Sequence, residues 1–308
     1  MIPIPPLRHC CWPIAVLTVL LTLTGCGKGG SNATDHSPEA QVNAGVEALR
    51  VFDFDTAYER LGEIQPSLDQ DDPNWVLATY SLGIAAWHLT PPSEIAINEA
   101  VEYLSAVVEA APESDFAASA LLDLGRIAEV KNYRNDNTDV PAAQAYYRQV
   151  REEFPQTEMS ARATLYLAQT LVQTFDEASI REAVKLLEVE MAAQPDSPWL
   201  GVMAQYTAQI EAFYLHDPAS ALTHYQLAKD TGFPRPADAD MSLWQFGLLA
   251  EEAGEPLIAA ENFSIIVREY PRSFYGTVAR ERVKAIADAN PEANITVPEP
   301  PDLGLGRE

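Results

Sequence analysis

The stretch LWQFGLLAEEAGEPLIAAENFSIIVREYP, residues 243–271, decides the fold. Gly247 sits in an apolar first segment, Ala259 follows 12 positions later, Phe263 comes four residues after that, and Pro271 closes the run. Apolar residues recur at helical rather than alternating spacing on both sides of Gly254. A small residue opposite an alanine lets two helices approach closely, and a large side chain one turn later fills the space beside them. Proline then ends the second helix, because it lacks an amide proton and clashes with the preceding turn. The segment therefore predicts a helical hairpin.

The same triple recurs along the chain as Gly45/Ala57/Leu61, Gly83/Ala100/Leu104, Gly125/Ala143/Tyr147, Ala168/Ala183/Leu187 and Ala208/Ala221/Tyr225. Small residue and alanine are 12 to 18 positions apart, and the large side chain always follows the alanine by four. Pro66, Pro112, Pro155, Pro195 and Pro234 close these units. Ser114, Thr157, Ser197 and Ser273 stand two residues past four of the closing prolines and are predicted to cap the next helix. After Pro271, Val278, Val283 and Ile286 alternate with Arg280, Arg282 and Lys284, the pattern of a polar-backed helix that ends a stack.

These spacings resemble the tetratricopeptide repeat (TPR), with the hairpin at 243–271 matching at Phe246-Gly247, Gly254, Ala259, Phe263 and Pro271. The resemblance implies an all-α fold, a right-handed superhelical solenoid of about six hairpins over residues 39–290 with a C-terminal capping helix. Residues 291–308, PEANITVPEPPDLGLGRE, are proline-rich and acidic and are expected to be disordered.

The N-terminus adds a location. Residues 12–24 form a short apolar run after Arg8, too short for a membrane-spanning helix, which needs about 20 residues. The run ends in Leu23-Thr24-Gly25-Cys26, which resembles the lipobox of bacterial lipoproteins. The resemblance implies a signal peptide at 1–25, cleavage before Cys26 and lipidation of its thiol and amino group. Each buried methylene contributes about 0.8 kcal/mol, so a multiply acylated cysteine should anchor firmly. Gly27 stands where aspartate would mark inner-membrane retention, so the expected location is the outer membrane, facing the periplasm. Residues 26–38, rich in glycine and small polar side chains, read as the lipidated cysteine and a flexible tether. Cys10 and Cys11 leave with the leader, so no thiol remains for a disulfide, a metal or catalysis.

Composition narrows the function further. The chain carries a formal net charge of −25, and removal of Arg8 with the leader leaves 19 basic against 45 acidic residues. Such a surface repels nucleic acid and anionic lipid headgroups. No phosphate-binding loop, HExxH or GxSxG is present, and His216 and His224 read as structural histidines beside the turn at Asp217-Pro218. The acidic runs at Asp69–Asp72 and Asn135–Asp139 lack the glycine and closing glutamate of a calcium loop. The sequence predicts no enzyme, no metal and no cofactor beyond the lipid on Cys26.

What remains is a binding surface. In a TPR-like stack the first helices line the concave side, which by register carries Tyr80, Trp87, Arg126, Arg162, Gln169, Gln205, Gln209 and Trp244. Aromatics and arginines are common interface anchors, and Arg126 and Arg162 on successive units are placed to grip a partner carboxylate. The combination of lipobox and helical repeats resembles outer-membrane TPR lipoproteins, among them the BamD-type subunit of the barrel-assembly machinery. It implies a membrane-anchored adaptor with protein or peptide partners in the cell envelope. A barrel-assembly subunit and a peptidoglycan-associated or hydrolase-regulating accessory protein are the alternatives.

Overall fold

The computed structural model describes residues 37–301, so the expected leader, Cys26, the tether up to residue 36 and residues 302–308 lie outside it. Among the described residues there are thirteen α-helices, three single 3-10 turns and no strand. The helices are α1 (Pro38–Arg50), α2 (Phe54–Ile64), α3 (Pro73–Trp87), α4 (Glu94–Ala110), α5 (Asp115–Glu129), α6 (Val140–Glu153), α7 (Glu158–Val172), α8 (Glu177–Ala193), α9 (Leu200–Phe213), α10 (Pro218–Thr231), α11 (Ala239–Glu252), α12 (Pro256–Glu269) and α13 (Gly276–Ala289).

The chain forms two compact units, one ending at Ala120 and including 131–137, the other made of 121–130 and 138 onward. In the first, α1 pairs with α2 and α3 with α4, and α1 and α2 both lean on α3. In the second, α7 pairs with α8, α9 with α10 and α11 with α12, with α6 against α7 and α13 against α12. The described residues thus fold as all-α helical hairpins.

The triples read from the sequence lie in the core, and the four led by glycine are seen in contact. The alanines and large residues, from Ala57 and Leu61 to Ala259 and Phe263, are all essentially sealed from solvent. A methyl added at Gly83 would stand 2.8 Å from Leu104 Cγ, and one at Gly45, Gly125 or Gly247 would overlap Leu61, Tyr147 or Phe263. The glycines are therefore required by close helix approach. Pro112, Pro155, Pro195 and Pro271 each follow the second helix of a hairpin within two residues, and Pro66 lies in a 3-10 turn after α2.

Capping follows the prediction in part. Ser114 and Thr157 accept from the amides of Ala117 (3.1 Å) and Ser160 (3.1 Å) at the starts of α5 and α7. Ser197 and Ser273 instead hold a turn that precedes the helix, accepting from Trp199 (3.2 Å) and Tyr275 (3.0 Å), with α9 and α13 beginning three residues later. Second helices are capped by Asp53, Ser93, Asp139, Asp176 and Asp217. In three hairpins the residue before the capping aspartate is left-handed and is not glycine: Phe52 (φ 62°), Phe175 (φ 56°) and His216 (φ 52°). Gly254 (φ 77°) holds the corresponding place in the α11–α12 hairpin. The amides of Asp53 and Glu255 then bond back to Ala48 O (2.9 Å) and Ala250 O (2.8 Å), closing the first helix of each pair.

One expectation needs correction. Residues 291–308 were to be disordered, yet 291–301 fold back onto the last hairpin. Ile295 and Val297 pack on the apolar cluster around Phe263 and Val283, and Pro298 is buried. Arg280 fixes the segment, its Nε donating to Pro298 O (3.1 Å) while its guanidinium pairs with Glu299 (2.6 Å). Ile295, Val297, Pro298 and the grip of Arg280 outweigh the solvation of an otherwise polar segment.

Candidate partner-binding face

The eight predicted contact residues all lie on first helices, α3, α5, α7, α9 and α11, and all are half-buried. Most already have partners within the protein. In the first unit Tyr80 packs on Phe116 with ring centroids 5.5 Å apart. Trp87 donates its indole N–H to Asn132 Oδ1 (3.0 Å) and stacks on His88, which itself meets Phe54.

In the second unit Arg126 donates to Glu129 (2.9 Å) and lies over the Tyr166 ring at 4.6 Å. Tyr147 donates its hydroxyl to the same Glu129 carboxylate (2.6 Å). Burial, joined by the Glu129 charge, drives the Tyr147 hydroxyl far above its ordinary pKa. Burial alone would lower the Arg126 pKa, but Glu129 and the neighbouring tyrosines raise it overall, so its charge is fixed. Gln205 donates to Ser242 (3.1 Å), and Gln209 lies on the same helix, α9. Trp244 stacks on Tyr275 (5.2 Å, 16° between planes), touches Phe263 and lies beneath the Arg282 guanidinium at 5.6 Å.

Arg162 differs. Its guanidinium lies over the Trp199 ring at 5.7 Å, and Nη1 reaches the Met159 sulfur at 3.6 Å. Its Nε has no acceptor, and no carboxylate pairs with it among the described residues. Gln169, one turn from α7's end, shares this helix. The predicted pairing of Arg126 with Arg162 in one carboxylate grip therefore reduces to Arg162, because Glu129 already occupies Arg126.

The partners of these residues were missed in the sequence, although a signal exists. Two positions past each capping hydroxyl stands a large side chain: Phe116, Met159, Trp199 and Tyr275. Three of them cover a predicted contact residue of the preceding first helix, Tyr80, Arg162 and Trp244 respectively for Phe116, Trp199 and Tyr275. The unit Pro-x-Ser/Thr-x-large is thus a stacking element between hairpins.

Two buried glutamates were also missed. Glu190 on α8 accepts from Ser160 (2.8 Å), Thr164 (3.0 Å) and Gln194 (2.5 Å), tying α8 to α7. Glu211 on α9 meets His224 Nδ1 on α10 at 2.7 Å. The acidic runs act as predicted for polar loops. Asp72 caps α3, Asp139 caps α6, and Asp136 accepts from the backbone and side-chain amides of Asn132 (2.8 and 3.0 Å).

Comparison with known proteins agrees with this fold. No protein-family model matches the chain, and no curated protein matches it. Among solved structures it is similar to PilF of Pseudomonas aeruginosa, with a TM-score of 0.50 and 17% identity over 80% of this chain and 96% of that one. It also matches Acl4, an assembly chaperone of RpL4 (TM-score 0.46, 16% identity, 83% of this chain and 99% of that one). A further match is the TPR domain of P58(IPK) (0.32, 13%, 82% and 65%). At such identities the likeness to PilF is one of fold alone, a stack of helical hairpins.

Proposed function

We propose that this chain is a non-enzymatic scaffold, held by lipid on Cys26 at the periplasmic face of the outer membrane, where it binds envelope proteins through its first-helix face. The observation that carries the reading is Arg162, a half-buried arginine laid on Trp199 with no carboxylate paired to it among the described residues of a chain of net charge −25. A guanidinium pre-oriented by an aromatic face loses little freedom on gripping a carboxylate side by side. The anchor complements it, since confinement beside a membrane raises the effective concentration of partners in the same layer.

Pull-down from detergent-solubilised membranes tests the reading. The wild-type chain should recover a stoichiometric protein partner, and Arg162→Glu should lose it with helical content unchanged. Recovery of the same partner by Arg162→Glu would remove the arginine from the interface, and a wild-type pull-down without a partner would overturn the scaffold role. Cys26→Ala should release the chain from membranes. Two measurements address the alternatives: a fall in outer-membrane porins on depletion would favour a BamD-like role, and binding to purified sacculi a peptidoglycan-associated one.

A further inference from the structure

Three side chains from successive helices of the second unit converge at a place the partner-binding face does not use. Glu188 on α8, Glu211 on α9 and His224 on α10 each bring one donor atom within 4.8 Å of the others. Glu211 is 4% exposed and its Oε2 lies 2.7 Å from His224 Nδ1. The far ring nitrogen, Nε2, faces Glu188 Oε1 at 3.9 Å, and the Glu188 side chain is half open to solvent.

This is the order of parts in which a carboxylate orients a metal-binding histidine. When Nδ1–H donates its hydrogen bond to the Glu211 carboxylate, the lone pair of the neutral ring stands on Nε2, and the hydrogen bond fixes the ring plane and raises the basicity of that nitrogen. The gap from Nε2 to Glu188 is too long for a hydrogen bond, whose heavy atoms stand about 2.7–3.2 Å apart. Two ligands about 2.0–2.2 Å from one tetrahedral zinc stand roughly 3.3–3.6 Å apart, so a shift of a few tenths of an ångström by the half-exposed Glu188 side chain would let one ion bridge the gap. Imidazole with carboxylate selects a first-row transition ion over calcium or magnesium, which take oxygen ligands. A neutral imidazole between two carboxylates also leaves net negative charge that a divalent cation would neutralise.

We propose that Glu188 and His224 ligate a transition-metal ion of the zinc class, with Glu211 as the positioning residue behind the histidine and solvent completing the coordination. The three residues lie far apart in sequence on different helices, so no ligand motif announces them, and the expectation of no metal rested on motif spacing alone. An ion here would clamp α8 to α10 across two adjacent hairpins.

Zinc titration of the full chain in detergent, with its thiols alkylated, tests the site by calorimetry. One equivalent should bind saturably, and excess magnesium or calcium should not displace it. His224→Gln should abolish this binding, and Glu188→Gln, an exposed change that spares the core, should weaken it at least about tenfold. Glu211→Gln keeps an acceptor for the ring N–H but removes the charge behind it, and should weaken zinc about tenfold or more while circular dichroism stays unchanged. Absence of saturable binding in the wild type, displacement by calcium, or unchanged zinc affinity in any of the three variants would overturn the proposal.

Discussion

Gly83 faces Leu104 so closely that a methyl group on the glycine would stand 2.8 Å from the leucine Cγ and 3.4 Å from the Ala100 carbonyl oxygen. The distance of α3 from α4 is set by this contact, and the equivalent contacts of Gly45, Gly125 and Gly247 set their own hairpins. Spacing between helices in the array is thus written at one residue per hairpin.

Gly83→Ala and Gly247→Ala should each destabilise the fold by about 1–3 kcal/mol, the usual cost of forcing a side chain into a filled core. Gly62, on the exposed side of α2, has only Leu82 Cδ2 near its missing methyl, at 4.0 Å. Gly62→Ala should therefore stabilise by roughly 0.5–1 kcal/mol, because alanine loses less backbone freedom in a helix. Urea unfolding of the three variants gives the comparison, and equal signs at Gly62 and Gly83 would contradict close approach as the reason for the recurring spacing of parts.

The turns between paired helices carry backbone strain where glycine is absent. Phe175 is left-handed at φ 56° and 76% exposed as a residue, whereas Gly254 holds the same place with nothing within 4 Å of a would-be Cβ. Phe175→Asn should raise stability by up to about 1 kcal/mol, since asparagine tolerates this conformation better. Gly254→Ala should cost about 1–2 kcal/mol through the backbone alone, as no steric clash is available to explain it. Thermal melts of both variants measure the two effects in opposite directions.

His224 links stability to pH. Burial alone would lower its pKa, but the hydrogen bond and charge of Glu211, the Glu188 carboxylate and the Ser220 carbonyl raise it above the ordinary histidine value. A raised folded-state pKa means that protonation favours folding, fully below the unfolded value and progressively less as pH climbs through the folded one. In the presence of chelator, the stability lost by His224→Gln should be larger at about pH 6 than at about pH 9. A loss independent of pH would show that the imidazolium–Glu211 pair adds nothing beyond packing.

Helical hairpins were legible because their determinants are local. Gly247, Ala259 and Phe263 lie within one hairpin, so a single window of sequence holds the whole contact. The roles of Arg126, Arg162 and Trp244 were not, because Tyr166 and Trp199 belong to the next hairpin, Tyr275 to the start of α13, and the offset varies with loop length. Register could place these residues on first helices but not say what covers them. Buried acids are harder still. Glu190 and Glu211 carry the same letter as the many solvated glutamates, and only the hydroxyls and imidazole brought by neighbouring helices distinguish them. The docked segment at 291–301 escaped for a related reason, since Ile295 and Val297 are two apolar residues in a composition that otherwise reads as unfolded.

Trp244 and Arg162 separate packing from recognition on the same face. Trp244 is held between Phe263, Tyr275 and Arg282, so its removal empties a joint between the last hairpin and α13. Trp244→Ala should cost roughly 2–4 kcal/mol, near the lower range for a large aromatic because the ring is only half-buried. Any loss of partner binding in that variant would follow from unfolding. Arg162 contributes a single stack on Trp199, an interaction of about 0.5–1 kcal/mol at a partly exposed site. Arg162→Ala should therefore leave the melting temperature nearly unchanged and yet lower partner affinity by a factor of ten or more, as expected when a carboxylate loses its only guanidinium. Measured together, melting and pull-down yield place each residue in one role. The opposite pattern, in which Trp244→Ala stays folded but fails to bind, would move the interface from α7 to the α11–α13 end of the unit.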